Sequence, residues 1–307
     1  MSFKGKFAQY LITAIATLTL AAFIFKYNDD FYKLRDISLL QLVLLFILTV
    51  ATIAINGVKL KLITRTFNIT LNFKEWFGLS SLSISLNSLL FKTGSIITSN
   101  YLKRTHGFTY MNYVGTFGVD LLITLSINAW VGLLASCYLL FLGKGDYTLM
   151  TAGFIAVIAV LFLLMNNTFS FKKREHRIID ALARALSSLN NLLQDKKSFW
   201  GLCFLGVVLM LVTALRFYVS GTVLRLDIPL SHCFLFVIVI TVIRYIPMIQ
   251  NDIGTRELGV GLLSEFLGNG MKEGFLVTVV DRLFVLFWCL VFAFFYKNIL
   301  TEKKRVK

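Results

Sequence analysis

The chain has 307 residues, of which 57% are hydrophobic, with 29 phenylalanines, only two prolines and a formal net charge of +15. A soluble domain of this length keeps a large polar surface, so a mean hydropathy of +0.76 excludes a water-soluble fold and makes lipid the solvent. The charge does not make a nucleic-acid binder, because the basic residues are interleaved with apolar runs instead of gathered on one face.

In chain order, runs long enough to cross a bilayer fall at 7–25, 39–58, 113–142, 148–165, 199–224 and 275–296. The first has a short charged flank like a signal peptide, but it is too long and lacks a small-residue cleavage site, so it reads as a span. The excess of positive charge lies in four segments, with +2 in 1–6, +6 in 57–112, +4 in 166–198 and +4 in 297–307. The connections at 26–38, 143–147 and 225–229 are neutral, and 251–274 carries −2. Basic loops stay cytoplasmic, so six crossings place both termini in the cytosol. We read 1–307 as one polytopic membrane domain.

Two further apolar stretches are interrupted. Residues 79–103 hold Asn87, Lys92, Thr93 and Gly94 in their middle. Residues 230–268 run into Arg244, Pro247, Asn251, Asp252, Gly254, Arg256 and Glu257 before turning apolar again. Irregular backbone at membrane depth survives only where protein or trapped water satisfies it. Both stretches therefore read as re-entrant helical hairpins, the first entering from inside and the second from outside. Two full crossings each, giving eight spans, would keep the same orientation. Gly94, Pro247 and Gly254 are the hairpin-breaking residues. Each hairpin precedes a span that opens with an acid, Asp120 in GVDLLITL and Asp281 in VVDRLFVL. Paired broken segments in two halves are the pattern of an inverted repeat.

Between the fourth and fifth spans, 173–195 places Ile178, Leu182, Ala185, Leu186, Leu189 and Leu193 on one helical stripe with basic residues elsewhere. This is an amphipathic helix on the cytosolic face, held by anionic lipid or packed as an ordinary connector. The four cysteines, Cys137, Cys203, Cys233 and Cys289, sit in apolar runs and read as reduced, packed thiols.

Charges inside a membrane are costly, so each is a functional candidate. The candidates for binding a lipid headgroup are Arg244, Arg256, Lys92, Glu257, Asp252 and Arg282. A helix start near the midplane offers unpaired N–H groups to an anion, and arginine adds a planar, permanently charged fork for phosphate oxygens. Arg244, one turn before Pro247, leads this set. In the plainer reading Arg256 with Glu257, or Arg282 with Asp281, neutralises internal partners and holds hairpins against spans. For Lys92 and for Arg216, toward the outer end of its span, the plainer reading is snorkelling. Enzyme signatures are absent: His106, His176 and His232 are scattered without metal spacing, Gly143-Lys144-Gly145 is no phosphate loop, and no hydrolase or metalloprotease motif occurs. No catalytic residue, metal site or cofactor is expected from these residues.

The order of elements resembles the lysylphosphatidylglycerol synthase transmembrane family, also called flippase-like. Its second hairpin motif, approximately LP, a glycine-rich turn and G-x-R-E, is similar to Ile246-Pro247 followed by Gly254-Thr255-Arg256-Glu257. Its first, approximately LLP-x-R-x-GE, is similar more loosely to Leu89-Leu90-Phe91-Lys92-Thr93-Gly94, with Tyr101-Leu102 after it. Asp120 fits the family's aspartate at the start of the next span. The resemblance implies a bacterial inner-membrane domain that handles or translocates lipids, without the soluble domain that performs aminoacyl transfer. The expected ligand is an anionic phospholipid or a polyprenyl-linked headgroup. An intramembrane lipid-modifying enzyme using Asp252 or Glu257 as base, or a membrane partner anchoring a soluble biosynthetic enzyme, are the alternatives. A homo-oligomer or that soluble enzyme are the protein partners such a chain allows.

Overall fold

The computed structural model describes residues 32–89, 92–143, 147–166, 195–245 and 254–297. The expected span 7–25, the amphipathic segment up to residue 194, and Leu90, Phe91, Pro247, Asn251 and Asp252 lie outside the described residues. After a short 3₁₀ turn at Tyr32–Asp36, the described elements are α1 (Leu39–Arg65), α2 (Phe73–Leu89), α3 (Thr93–His106), α4 (Tyr110–Phe141), α5 (Thr148–Asn166), α6 (Lys196–Val223), α7 (Leu230–Tyr245), α8 (Thr255–Phe266) and α9 (Met271–Tyr296). No strand occurs among the described residues. The protein is an all-α membrane protein.

Short polar signals set where these helices begin. Ser38 Oγ accepts the Gln41 N–H at 3.2 Å while Gln41 Oε1 accepts the Ser38 N–H at 3.0 Å, a reciprocal box that starts α1. Asn72 and Glu75 make the same exchange at α2, at 2.8 and 2.9 Å. Thr109 caps α4 through the Asn112 N–H, and Asp195 caps α6 through Ser198.

Among the described residues four helices, α1, α4, α6 and α9, are long and apolar enough to cross a bilayer, and they coincide with four of the expected spans. α5 falls on a fifth and presents Leu149, Phe162 and Leu163 outward. Phe141, Phe204, Phe294 and Phe295 also point outward from the long helices, which lipid tolerates and water does not. All four cysteines are free. Cys233 and Cys289 are buried and Cys203 is half-buried, but Cys137 lies on the outward side of α4, so the packing expected for it does not occur.

Both interrupted stretches are helix pairs. At the start of α3, Gly94 meets α2 so closely that a methyl group on it would lie 2.2 Å from the Ser83 carbonyl oxygen. Farther along α3, Tyr101 and His106 reach Glu75 at 3.0 and 3.1 Å. α8 packs on α7 in the same manner, with Gly259 against Ile243 and Val239. Lys92, before α3, has the left-handed φ of 51° that side chains seldom adopt.

By internal packing the chain divides into two compact units. The first comprises 1–53, 81–94 and 210–294, and the second 54–80, 95–209 and 295–307. The first unit is built around Phe217, Phe236 and Phe275, all fully buried, with Phe217 and Phe236 edge to face at 6.3 Å. The second has one core around Leu71, Leu79, Tyr101, Leu102 and Phe108. Another joins Ile63 of α1, Val119 and Ile123 of α4 and Leu202 of α6.

Candidate functional site

The first unit contains a buried network of charge contributed by three helices. Asp281 of α9 is wholly inaccessible to solvent, as is Glu257 of α8. Arg216 of α6 is also buried, and its Nε and Nη2 fork onto the two oxygens of Asp281, the second at 3.3 Å. Arg256 donates from Nη2 to Asp281 Oδ2 at 2.6 Å. Arg282 donates from Nη1 to Glu257 Oε1 at 2.6 Å. Thr52 of α1 gives its hydroxyl proton to the Leu48 carbonyl and accepts Arg216 Nη1 at 2.9 Å. The guanidinium of Arg256 also lies over the Phe217 ring, 5.7 Å from its centroid.

Helical geometry explains the pairing. Adjacent residues of a helix diverge by about 100°, so they cannot face each other. Arg256 and Glu257, and likewise Asp281 and Arg282, therefore cross to the neighbouring helix. The pairs formed are Arg256 with Asp281 and Arg282 with Glu257, each joining α8 of the second helix pair to the long helix α9. Arg216 does not snorkel. Its partner Asp281 holds it in the interior, with its side chain 5% exposed. An isolated ionised carboxylate at this depth would be far costlier than a paired one, and this explains why the acid draws in two arginines.

The start of α8 is organised by the same network. Gly254 takes the left-handed φ of 79° that a residue with a side chain resists. This turns the chain so that its N–H reaches Glu257 Oε2 at 2.8 Å. Glu257 thus ties the α8 N-terminus to Arg282. Beside it, Thr255 Oγ1 and Arg256 Nε are buried and make no hydrogen bond. Among the described residues, three arginines meet two carboxylates here, at a helix end whose first N–H groups and dipole favour an anion.

The other sequence candidates fall at the two breaks. Arg244 sits exposed in the last turn of α7 and Lys92 exposed just before α3. Gly94 is the close-contact residue of the first break, and Asp252 and Pro247 lie outside the described residues. Lys92, Gly94, Arg244, Gly254, Arg256, Glu257 and Arg282 all belong to the first unit. Sequence reasoning missed Arg216 as a member of the network. An intramembrane acid, Asp281, without a cation that its own helix could supply was the signal that an arginine elsewhere had to turn inward.

A family model described as the lysylphosphatidylglycerol synthase TM region matches residues 9–293. Comparison with curated proteins and with solved structures gives no match.

Proposed function

The chain belongs to the lysylphosphatidylglycerol synthase transmembrane family, a membrane family of phospholipid metabolism or transport, and on that footing we propose that it binds an anionic lipid headgroup and carries it across a bacterial inner membrane. The observation that carries this reading is the start of α8, where Arg256 Nε and Thr255 Oγ1 are buried and make no hydrogen bond. A phosphate or phosphate-like headgroup accepts from such donors in the way helix N-termini and arginine forks bind anions elsewhere.

In this reading the headgroup competes with Asp281 for Arg256. Asp281 keeps Arg216 as a partner while Arg256 turns to the ligand, so no buried charge is left alone at any point. A site that can exchange one anion for another binds and releases, as transport requires. Arg244 and Lys92, exposed at the two breaks, attract the headgroup before it is buried. The two helix pairs act as hairpins entering from opposite sides, and movement of the halves of an inverted repeat exposes the site alternately. Both termini stay in the cytosol, where the basic segments hold the orientation.

The test is lipid-dependent thermal protection of the purified chain in detergent, comparing phosphatidylglycerol with phosphatidylcholine. The expected result is protection by phosphatidylglycerol alone, weakened several-fold in Thr255→Val, which removes a donor and leaves every ion pair in place. Equal protection by both lipids contradicts the reading.

A further inference from the structure

We propose that the second unit carries a proton-binding site at Asp120 and Lys59, fed by a polar line along α4, so that this chain moves protons as well as its lipid cargo. On α4, Thr116, Asp120, Thr124 and Asn128 recur at every fourth position and line one side of a largely apolar helix for roughly three turns. Lys59 Nζ of α1 lies 2.6 Å from Asp120 Oδ1, with the two side chains 5% and 19% exposed. Ile63, Val119, Ile123 and Leu202 wall this level of the unit with hydrocarbon.

The line continues beyond the ion pair in groups that the protein leaves unsatisfied. Thr124 Oγ1 and Asn128 Nδ2 are buried and make no hydrogen bond, although Asn128 is only 4% exposed. Thr116, by contrast, is satisfied by the Asn112 carbonyl at 2.9 Å. Buried polar groups without protein partners are where interior water is held, and a row of them leading to a carboxylate is a route for protons.

The two units pair their acids alike. In each, the long helix before an interrupted helix pair supplies a cation to the acid on the long helix after it: Lys59 of α1 to Asp120 of α4, and Arg216 of α6 to Asp281 of α9. The lengths of chain between partners are nearly the same. The chemistry differs in one respect. Asp281 faces two arginines, which stay charged at any attainable pH, whereas Asp120 faces a lysine, which can give up its proton. The arginine pair suits a permanent anion, and the lysine pair suits a proton.

Among the described residues, Tyr113 of α4 lies within electrostatic reach of Asp120, and Cys203 of α6 within reach of Lys59. The step is a protonation alone. The Asp120 carboxylate takes one proton and becomes a carboxylic acid, and Lys59 loses its counter-charge. An unpaired buried ammonium is unfavourable, so Lys59 gives up its proton on the opposite side, which an arginine would not do. The proton on Asp120 then passes to the Lys59 amine and restores the pair.

The experiment uses the purified full chain in sealed vesicles of phosphatidylcholine and phosphatidylglycerol containing a trapped pH dye, with an inside-negative potassium potential. The wild type is expected to take up protons several-fold faster than empty vesicles. Asp120→Asn should fall to the empty-vesicle rate and Asp120→Glu should recover part of the difference. If Asp120→Asn fails to fold, Thr124→Val with Asn128→Leu, which keeps the ion pair, should still slow uptake several-fold. Wild-type uptake at the empty-vesicle rate, or a folded Asp120→Asn at the wild-type rate, overturns the proposal. The dye reads protons and not lipid, so a chain that moves protons but no lipid overturns the lipid reading and leaves this one standing.

Discussion

Arg256 is paired with Asp281 on α9, 25 residues away, and not with Glu257 beside it. Because Asp281 also holds Arg216, the removal of different members of this network has unequal consequences. Asp281 is the shared member, and each arginine is only one of its two partners.

Asp281→Asn should therefore be the most destabilising single change in the network. It strands two buried guanidinium groups, and breaking a buried pair in this way costs about 3–5 kcal/mol. Arg256→Met leaves Asp281 with Arg216 and should cost clearly less. Unfolding temperatures in detergent measure both, and equal losses would show that Asp281 does not bridge the two arginines.

Gly94→Ala should disturb the α2–α3 contact, since the added methyl would sit 2.2 Å from the Ser83 carbonyl oxygen. Overpacking of this kind costs about 1–3 kcal/mol. Gly118→Ala on α4, where nothing lies within 4 Å of the new methyl, is the control and should be neutral. Unfolding temperatures in detergent read the effect, with a loss expected in Gly94→Ala alone.

Glu75 gives a pH dependence whose sign is fixed. Burial raises its pKa, but the Asn72 N–H, the Tyr101 hydroxyl and His106 together outweigh burial and hold it below the usual 4.5. A carboxyl with a lowered folded-state pKa stabilises fully above its unfolded value, and that contribution is lost as pH falls through the folded one. The unfolding temperature should drop on acidification below the ordinary carboxylate range. Glu75→Gln should be less stable at neutral pH and lose less on acidification. A variant as stable as wild type at neutral pH would remove Glu75 from the base of the α2–α3 pair.

Much of the fold was legible in the sequence because apolar length decides it. α1, α4, α6 and α9 stand where hydropathy placed spans, and within the interrupted runs the described helices end at Leu89 and Tyr245 and begin again at Thr93 and Thr255. The site was legible by residue type but not by partner. Intramembrane charge marked Arg256, Glu257, Asp281 and Arg282, yet a linear pattern cannot say which residue of the neighbouring helix each one meets. Arg216 was misread for the same reason, since its position near a span end suggests water and only the placement of α9 reveals Asp281. Lys59 lay at the edge of an expected loop, but α1 continues through it and buries it against Asp120.

Arg244 and Lys92 are exposed, while Arg256 is buried within the network. Arg244→Ala and Lys92→Ala should weaken the capture of anionic lipid while lowering the unfolding temperature less than Arg256→Ala does. The loss should shrink as salt screens the exposed charges. A change in stability equal to that of Arg256→Ala would make them structural instead.

The central claim is that the α8 start handles an anionic headgroup in transit, and lipid movement in sealed vesicles containing only this protein tests it most directly. A fluorescent anionic phospholipid is placed in the inner leaflet and followed with an impermeant quencher, comparing wild type with Thr255→Val, Arg244→Ala and Arg256→Ala. The account predicts rapid loss of the protected signal in wild type, slower loss in Thr255→Val and Arg244→Ala, and none above empty vesicles in Arg256→Ala. Movement in a folded Arg256→Ala variant at the wild-type rate would contradict it, as would wild-type traces that match empty vesicles.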